Sequence, residues 1–436
     1  MRTITVYPKD RLAGVVNIPG DKSISHRALM FSSLALGTSE IENLLEGHDC
    51  IATLQVMRAL GVHIELTNNR WLVHAQGKFG LQEPLGVLDC KNSGTTIRLM
   101  AGLLSAMPFV SILDGTDQIK SRPMERVIKP LRKMGAQIYG RQHNTRAPLI
   151  TLPAQLVGVS YELEVKSAQV KSALILAALF ADQETRISNI KATRDHTEKM
   201  LTHMGADISC EDDQVIIKPL KQELWPINLS IPGDISSAAF LLVAGVFLAE
   251  PEISLIGVGV NFTRTGIIDA LKSMGAQISF NNERIIANEL VADIHVRKSK
   301  LKAQSFGGDL VVRMIDEIPV LALACTQAEG VSVIKDAQEL KVKESNRIKK
   351  TVECLKALGA DIEECEDGMI IRGPTKLHGA ELSSFGDHRL ALFLSIAGLI
   401  TNAPVVVSNA EVTDDSYPGF LESLAHLGAD YSVVNE

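Results

Sequence analysis

Lysine, serine, histidine and arginine crowd the segment Gly20-Asp21-Lys22-Ser23-Ile24-Ser25-His26-Arg27. Lysine offers an oxyanion a compact point charge, and arginine offers a planar fork that meets carboxylate or phosphate through paired N–H bonds. Further along, Arg98, Arg122, Lys171, Arg194, Lys343, Arg347 and Arg389 each stand in or beside a polar cluster that opens an apolar stretch. If those stretches are helices, their N-termini add unpaired N–H groups and the positive end of the helix dipole. The chemistry implied is the gripping of a small, multiply anionic ligand. With a formal charge of −7 on the whole chain, that ligand must be met by local cation clusters, and a general affinity for nucleic acid is excluded.

Other chemistries find little support. Cys50, Cys90, Cys210, Cys325, Cys354 and Cys365 show no C-x-x-C spacing, and neither H-E-x-x-H nor a Walker phosphate loop is present. No metal, cofactor or nucleotide is therefore expected, and His26, His196 and His388, each beside an arginine, read as structural. Ser23, Asn92, Ser167, Asp234, Asp316 and Asp387 could each be no more than a helix cap. Against that plain reading, basic residues recur at the same place in five of six repeated units, and apolar helices do not otherwise begin with charges that are costly to bury.

The elements that position these residues follow from an internal repeat. One pattern occurs six times: Met57-x-x-Leu60-Gly61, Leu131-x-x-Met134-Gly135, Leu201-x-x-Met204-Gly205, Leu271-x-x-Met274-Gly275, Leu355-x-x-Leu358-Gly359 and Leu424-x-x-Leu427-Gly428. The paired apolar residues share one helix face, the glycine suits a left-handed cap, and an apolar residue three places later begins a strand. Upstream of each copy lies a helix apolar nearly all round, opened by one of the polar clusters, and such a helix belongs in a core. Ile18-Pro19-Gly20-Asp21 recurs as Ile231-Pro232-Gly233-Asp234, so three units form each half. The reading is an α/β fold of two similar domains with buried helices and outer sheets. Residues 19–229 form an inserted domain, and residues 230–436 join residues 1–18, whose first strand pairs with the C-terminal part. The active site is expected in the cleft between the domains.

Two domains also suit a length of 436 residues, and 46% hydrophobic with 22% charged residues is a globular balance. The apolar runs Ala238 to Ala249 and Leu390 to Ile400 fall short of the roughly 18 residues that a membrane span needs. The start, Met1 to Tyr7, alternates like a strand rather than a signal peptide, so a cytoplasmic location is expected.

These motifs together resemble the 3-phosphoshikimate 1-carboxyvinyltransferase (EPSP synthase) family, over essentially the whole chain. The family pattern G-D-K-S-x-S-H-R stands at Gly20 to Arg27, N-x-G-T at Asn92 to Thr95, R-P-M at Arg122 to Met124, and S-A-Q-x-K at Ser167 to Lys171. R-D-H-T-E stands at Arg194 to Glu198, N-x-T-R at Asn261 to Arg264, K-E-S at Lys343 to Ser345, and D-H-R at Asp387 to Arg389. The resemblance implies the inside-out fold of two three-unit domains and transfer of the enolpyruvyl group of phosphoenolpyruvate to the 5-hydroxyl of shikimate 3-phosphate. That step lies on the way to chorismate and the aromatic amino acids, in a monomer with small-molecule substrates and no cofactor.

The resemblance further implies that Lys22, Ser23, Arg27, Ser167, Ala168, Gln169, Arg194, Asp316 and Lys343 hold shikimate 3-phosphate. Lys22, Gly94, Arg122, Gln169, Arg347 and Arg389 would hold phosphoenolpyruvate. Asp316 would act as general base, with Glu344 and Lys22 the candidates for proton transfer at the enolpyruvyl carbon. Some motifs resemble the class II subgroup, often tolerant of glyphosate, yet Gly94 stands where tolerant members tend to carry alanine, so sensitivity is expected. Two departures from the family pattern stand out. Asn346 replaces an aspartate after K-E-S, which puts a contact to Arg347 in doubt, and the stretch Asp415-Ser416-Tyr417 lacks a lysine that some members carry. A UDP-N-acetylglucosamine enolpyruvyl transferase remains an alternative, though its reactive loop cysteine is absent from Lys120 to Met124. A non-catalytic anion-binding scaffold is another.

Overall fold

The computed structural model describes residues 2–435, so Met1 and Glu436, which fall in the expected first strand and C-terminal domain, lie outside the described residues. The helices apolar all round are Lys22–Ser32, Gly94–Leu104, Ala168–Ala178, Ile235–Leu248, Ile318–Thr326 and His388–Gly398. They are buried as their composition demands; from Ile318 to Thr326 every residue is buried. The amphipathic helices are His48–Ala59, Glu125–Lys133, His196–His203, Gly266–Ser273, Arg347–Ala357 and Phe420–His426. Each turns its Leu/Met pair inward, as Leu355 and Leu358 are fully buried while Lys356 and Ala357 are exposed.

Every amphipathic helix runs to a repeat glycine whose φ lies between 86° and 104°, the left-handed region that a Cβ disfavours. The chain reverses there into a strand, and each unit contributes to a four-stranded sheet. The sheets share one plan, seen in the first: Leu36–Glu42 pairs antiparallel with Arg70–Gln76, which pairs antiparallel with His63–Thr67, while Asn228–Ser230 adds a parallel edge. Strand Arg2–Val6 is antiparallel to both Val405–Ser408 and Tyr431–Asn435, and Leu12–Asn17 is the parallel edge strand beside Ala249–Gly259. The N-terminal residues thus complete two sheets of the C-terminal half.

Backbone contacts divide the chain into two compact units. One contains the residues up to Pro19, Pro232–Ile285 and those from Leu290 on; the other contains Gly20–Ile231 with Ile286–Glu289. Each has its own apolar core built on three of the buried helices. The short piece Ile286–Glu289 is the one departure from a simple insertion. The fold is the expected inside-out α/β arrangement, with helices inside and sheets outside.

Two local expectations are corrected. Ser167, Asp234 and Asp387 do cap their helices, but Ser23 already lies in the first turn and Asp21 caps instead, accepting from the Ile24 amide. Ser93 takes the place of Asn92, and Glu317 rather than Asp316 precedes Ile318–Thr326. In the first two cases the cap is the residue whose side-chain oxygen reaches the amide three positions on. The cations, moreover, do not all open buried helices. Arg122, Arg194, Lys343 and Arg347 precede or begin amphipathic helices, since each unit carries two helix starts and the sequence pattern did not separate them.

Gly428 isolates the backbone term, because a Cβ there meets no atom within 4 Å while φ is +95°. Gly428→Ala is expected to cost about 1–2 kcal/mol through left-handed strain alone. Urea denaturation measures it, and an unchanged midpoint would contradict the cap assignment.

Candidate active site

In the unit built on Gly20–Ile231, the opening motif is held by its own helix. Lys22 is the first residue of Lys22–Ser32, and its ammonium lies 2.5 Å from Asp49 Oδ2, with both side chains only partly exposed. Asp49 sits in the first turn of His48–Ala59 and carries no motif signature; an acidic residue at a helix start was the only clue to it. Arg27 is 3% exposed and donates from Nε to Thr197, from Nη1 to the Ser23 carbonyl and from Nη2 to Ser172. Arg194 Nη1 reaches Ser23 Oγ at 3.5 Å. Lys22, Ser23, Arg27 and Arg194 therefore form one cluster.

A second cluster in the same unit gathers at the starts of Gly94–Leu104 and Ala168–Ala178. Gln169 Oε1 accepts from Arg98 Nη1 at 2.5 Å, and Gln169 Nε2 donates to Thr95 at 3.0 Å. Arg122 is 9% exposed and packs so close to Gly94 that a Cβ there would stand 2.9 Å from Arg122 Nη1 and 3.0 Å from Arg98 Nη1. Ser167 caps the second of these helices, with Ala168 as its first residue. Lys171 is not available to a ligand: its ammonium is buried against Glu198 at 2.5 Å, tying the S-A-Q-x-K motif to R-D-H-T-E. His196 is likewise structural, its Nδ1 lying 2.7 Å from Glu289 Oε1.

His26 shows what burial does to a motif residue. Its Nδ1 meets Thr53 Oγ1 at 2.6 Å, Thr53 meets Thr96, and Thr96 meets Ser93, the cap of Gly94–Leu104. Burial drives the His26 pKa down from 6.5 to about 3, with Lys22 and Arg27 lowering it further and Asp49 opposing. The imidazole is a neutral strut between two helix starts.

In the other unit Arg347 is the hub. It is 1% exposed and binds Asp387 through Nε at 2.9 Å and Nη2 at 3.1 Å, Glu344 at 2.7 Å and Asp316 at 3.1 Å. Burial opposes its charge, but Asp387, Glu344 and Asp316 prevail and hold its pKa above the usual guanidinium range. Lys343 reaches Asp316 at 3.2 Å, and Ser345 donates to Asp387. Asn346 caps Arg347–Ala357, its side chain accepting from the Lys349 amide. Arg264, from the N-x-T-R motif, is committed to Asp234 and Ser236. Tyr417, in the stretch that lacks the lysine, is buried and donates to Ser423.

Arg389 stands apart. Its backbone N–H donates to Asp387, yet the guanidinium is 4% exposed and its Nε and Nη1 have no acceptor among the described residues. Unpaired buried donors on a cation cost several kcal/mol, and an oxyanion is the ligand that satisfies them. Cys325, Cys354 and Cys90 are not poised as nucleophiles, since burial pushes the first two up to about 12 and Cys90 higher still.

Known proteins bear on this geometry. The family model described as EPSP synthase (3-phosphoshikimate 1-carboxyvinyltransferase) matches residues 6–424. A 3-phosphoshikimate 1-carboxyvinyltransferase of Herpetosiphon aurantiacus is 45% identical over 425 residues, covering 97% of this chain and 99% of that protein. One from Bacillus pumilus is 48% identical over 415 residues, covering 95% and 97%. Among solved structures, an EPSP synthase of Acinetobacter baumannii superposes with a TM-score of 0.89 at 40% identity, with both chains fully covered. The enolpyruvyl transferase NikO of Streptomyces tendae gives 0.80 at 18% identity, covering 100% of this chain and 99% of that one, a likeness of fold alone.

His26 supplies a pH signature. Its folded pKa is depressed, so the unfolded chain binds the extra proton, and the stability it contributes is present above 6.5 and lost as pH falls toward about 3. Replacing His26 by Gln is expected to flatten the loss of urea stability between those limits; an unaltered pH slope would contradict a buried neutral imidazole.

Proposed function

The chain belongs to the EPSP synthase family, and we infer from this that it transfers the enolpyruvyl group of phosphoenolpyruvate to the 5-hydroxyl of shikimate 3-phosphate, releasing phosphate. The reaction is an addition followed by an elimination. C3 of the enol takes a proton, the hydroxyl oxygen adds at C2, and loss of a C3 proton expels phosphate. The single observation that carries the assignment of residues to this chemistry is the buried Arg389 with donors unspent. It supports the reading that Arg389 receives one anionic group of phosphoenolpyruvate.

Asp316 is the general base for the 5-hydroxyl. Lys343 and Arg347 both contact its Oδ1, which fixes the direction of the carboxyl group. Glu344, tethered to Arg347 at 2.7 Å, and Lys22 handle the proton at C3. Arg347 is neutralised by its own carboxylates, so it contributes by aligning Asp316 and Glu344 as well as by touching phosphoenolpyruvate. Lys22 exchanges Asp49 for substrate. Ser23, Arg27, Ser167, Ala168, Gln169 and Arg194 hold shikimate 3-phosphate, while Gly94, Arg122 and Gln169 complete the hold on phosphoenolpyruvate. Preorganised cations of this kind stabilise charge that shifts during addition. The protein works on these small molecules as a monomer in the cytoplasm; no helix among the described residues is long and apolar enough to cross a membrane.

Phosphate release with phosphoenolpyruvate and shikimate 3-phosphate, and none with UDP-N-acetylglucosamine, is the direct test of the substrate. Asp316→Ala is expected to lower kcat by about 10²-fold or more while phosphoenolpyruvate still binds; unchanged turnover would remove Asp316 from its role. Gly94→Ala is expected to weaken inhibition by glyphosate, because the new methyl group stands 2.9 Å from Arg122 Nη1 and crowds the anion site. Inhibition equal to that of the parent chain would refute the steric argument.

A further inference from the structure

The outer face of the first sheet carries a row of side chains that the transfer reaction does not use. In strand register Thr38 stands opposite His74, and His74 stands opposite His63. The neighbouring row, Ser39, Val73 and Ile64, is buried, so strict alternation turns the histidine row outward. Glu65, two residues beyond His63 on the same strand, shares that face. The two imidazoles stack with centroids 5.1 Å apart. Glu65 receives them separately: Oε2 lies 3.6 Å from His63 Nε2 and Oε1 lies 3.4 Å from His74 Nε2. One ligand atom from each residue falls within 4.8 Å of the others.

We propose that His63, Glu65 and His74 form a binding site for a divalent transition cation of the Zn²⁺ type. With bonds of about 2.0–2.1 Å, ligands on a tetrahedral zinc stand roughly 3.3–3.4 Å apart, and each imidazole Nε2 lies near that distance from one of the two Glu65 oxygens. Two imidazoles and a carboxylate are a donor set that Zn²⁺ favours, with water as fourth ligand. Thr38 supports the arrangement. Its Oγ1 is 3.0 Å from His74 Nδ1, and when Nδ1–H donates to that oxygen, the Nε2 lone pair is directed to the metal, the outer partner that ligating histidines usually have. Thr38, His63 and His74 also line a cavity of about 250 Å³ beside the cluster. No contiguous metal motif announces the site, because strand pairing rather than sequence spacing assembles it.

Calorimetric titration of the metal-stripped full chain with ZnCl₂ tests the proposal. One equivalent is expected to bind, and His63→Ala and His74→Gln are each expected to weaken that binding at least about tenfold, whereas His203→Ala, an exposed histidine elsewhere, leaves it unchanged. Cobalt(II) provides a second readout: the visible spectrum of a four-coordinate ion is expected in the parent chain and lost in both variants. The two substitutions lie outside the transfer machinery, so phosphate release by the metal-free chain should not change. Zinc bound equally well by the doubly substituted chain, or not bound by the parent, would overturn the proposal and leave an ordinary His–Glu ion-pair cluster.

Discussion

A cation buried at the end of an apolar helix must be given a counter-charge, and most of the polar architecture of this protein follows from that requirement. Desolvating an unpaired ammonium or guanidinium is too costly for a fold of marginal stability. Lys22 has Asp49, Lys171 has Glu198, Arg264 has Asp234, and Arg347 has three carboxylates. Such pairs add little net stability, since Coulomb gain mostly offsets desolvation, but removing one partner is severe. They fix where each side chain points. Arg389 lacks such a partner among the described residues, and its satisfaction falls to the substrate.

The repeated unit makes the arrangement possible. A buried helix, a strand, an amphipathic helix and a hairpin recur, and every unit presents two helix starts from which polar side chains project. Placing the helices inside leaves the sheets to face solvent on one side. Chemistry thereby collects at helix ends, while strand faces such as the one bearing His63 and His74 remain open to unrelated uses.

Much of this was legible in the sequence because it is periodic or contiguous. The Leu/Met pairs and glycines marked the outer helices, continuous apolar runs marked the inner ones, and alternation at residues 2–6 marked a strand. Cations could be recognised as a class, but their partners could not. Glu198 stands in a motif and Asp49 at a helix start, but neither position says which cation it pairs with, because the pairing is made by tertiary packing. Asn346 also serves as a helix cap, which its place after K-E-S did not announce, and Lys171, grouped with the anion-gripping cations, is a buried ion pair. The caps at Asp21 and Ser93 were displaced by one or two residues, which is the scale on which backbone geometry decides and residue type does not.

The claim that Arg389 is held in readiness for substrate, whereas the other buried cations are held by the protein, can be tested on one variant. Phosphoenolpyruvate binding and urea stability of Arg389→Met should be measured side by side. The account predicts that affinity is largely lost while stability is kept or raised, since an unsatisfied buried charge has been exchanged for an apolar side chain of similar length. Retained affinity together with a marked fall in stability would show that Arg389 is a structural cation and would contradict the account.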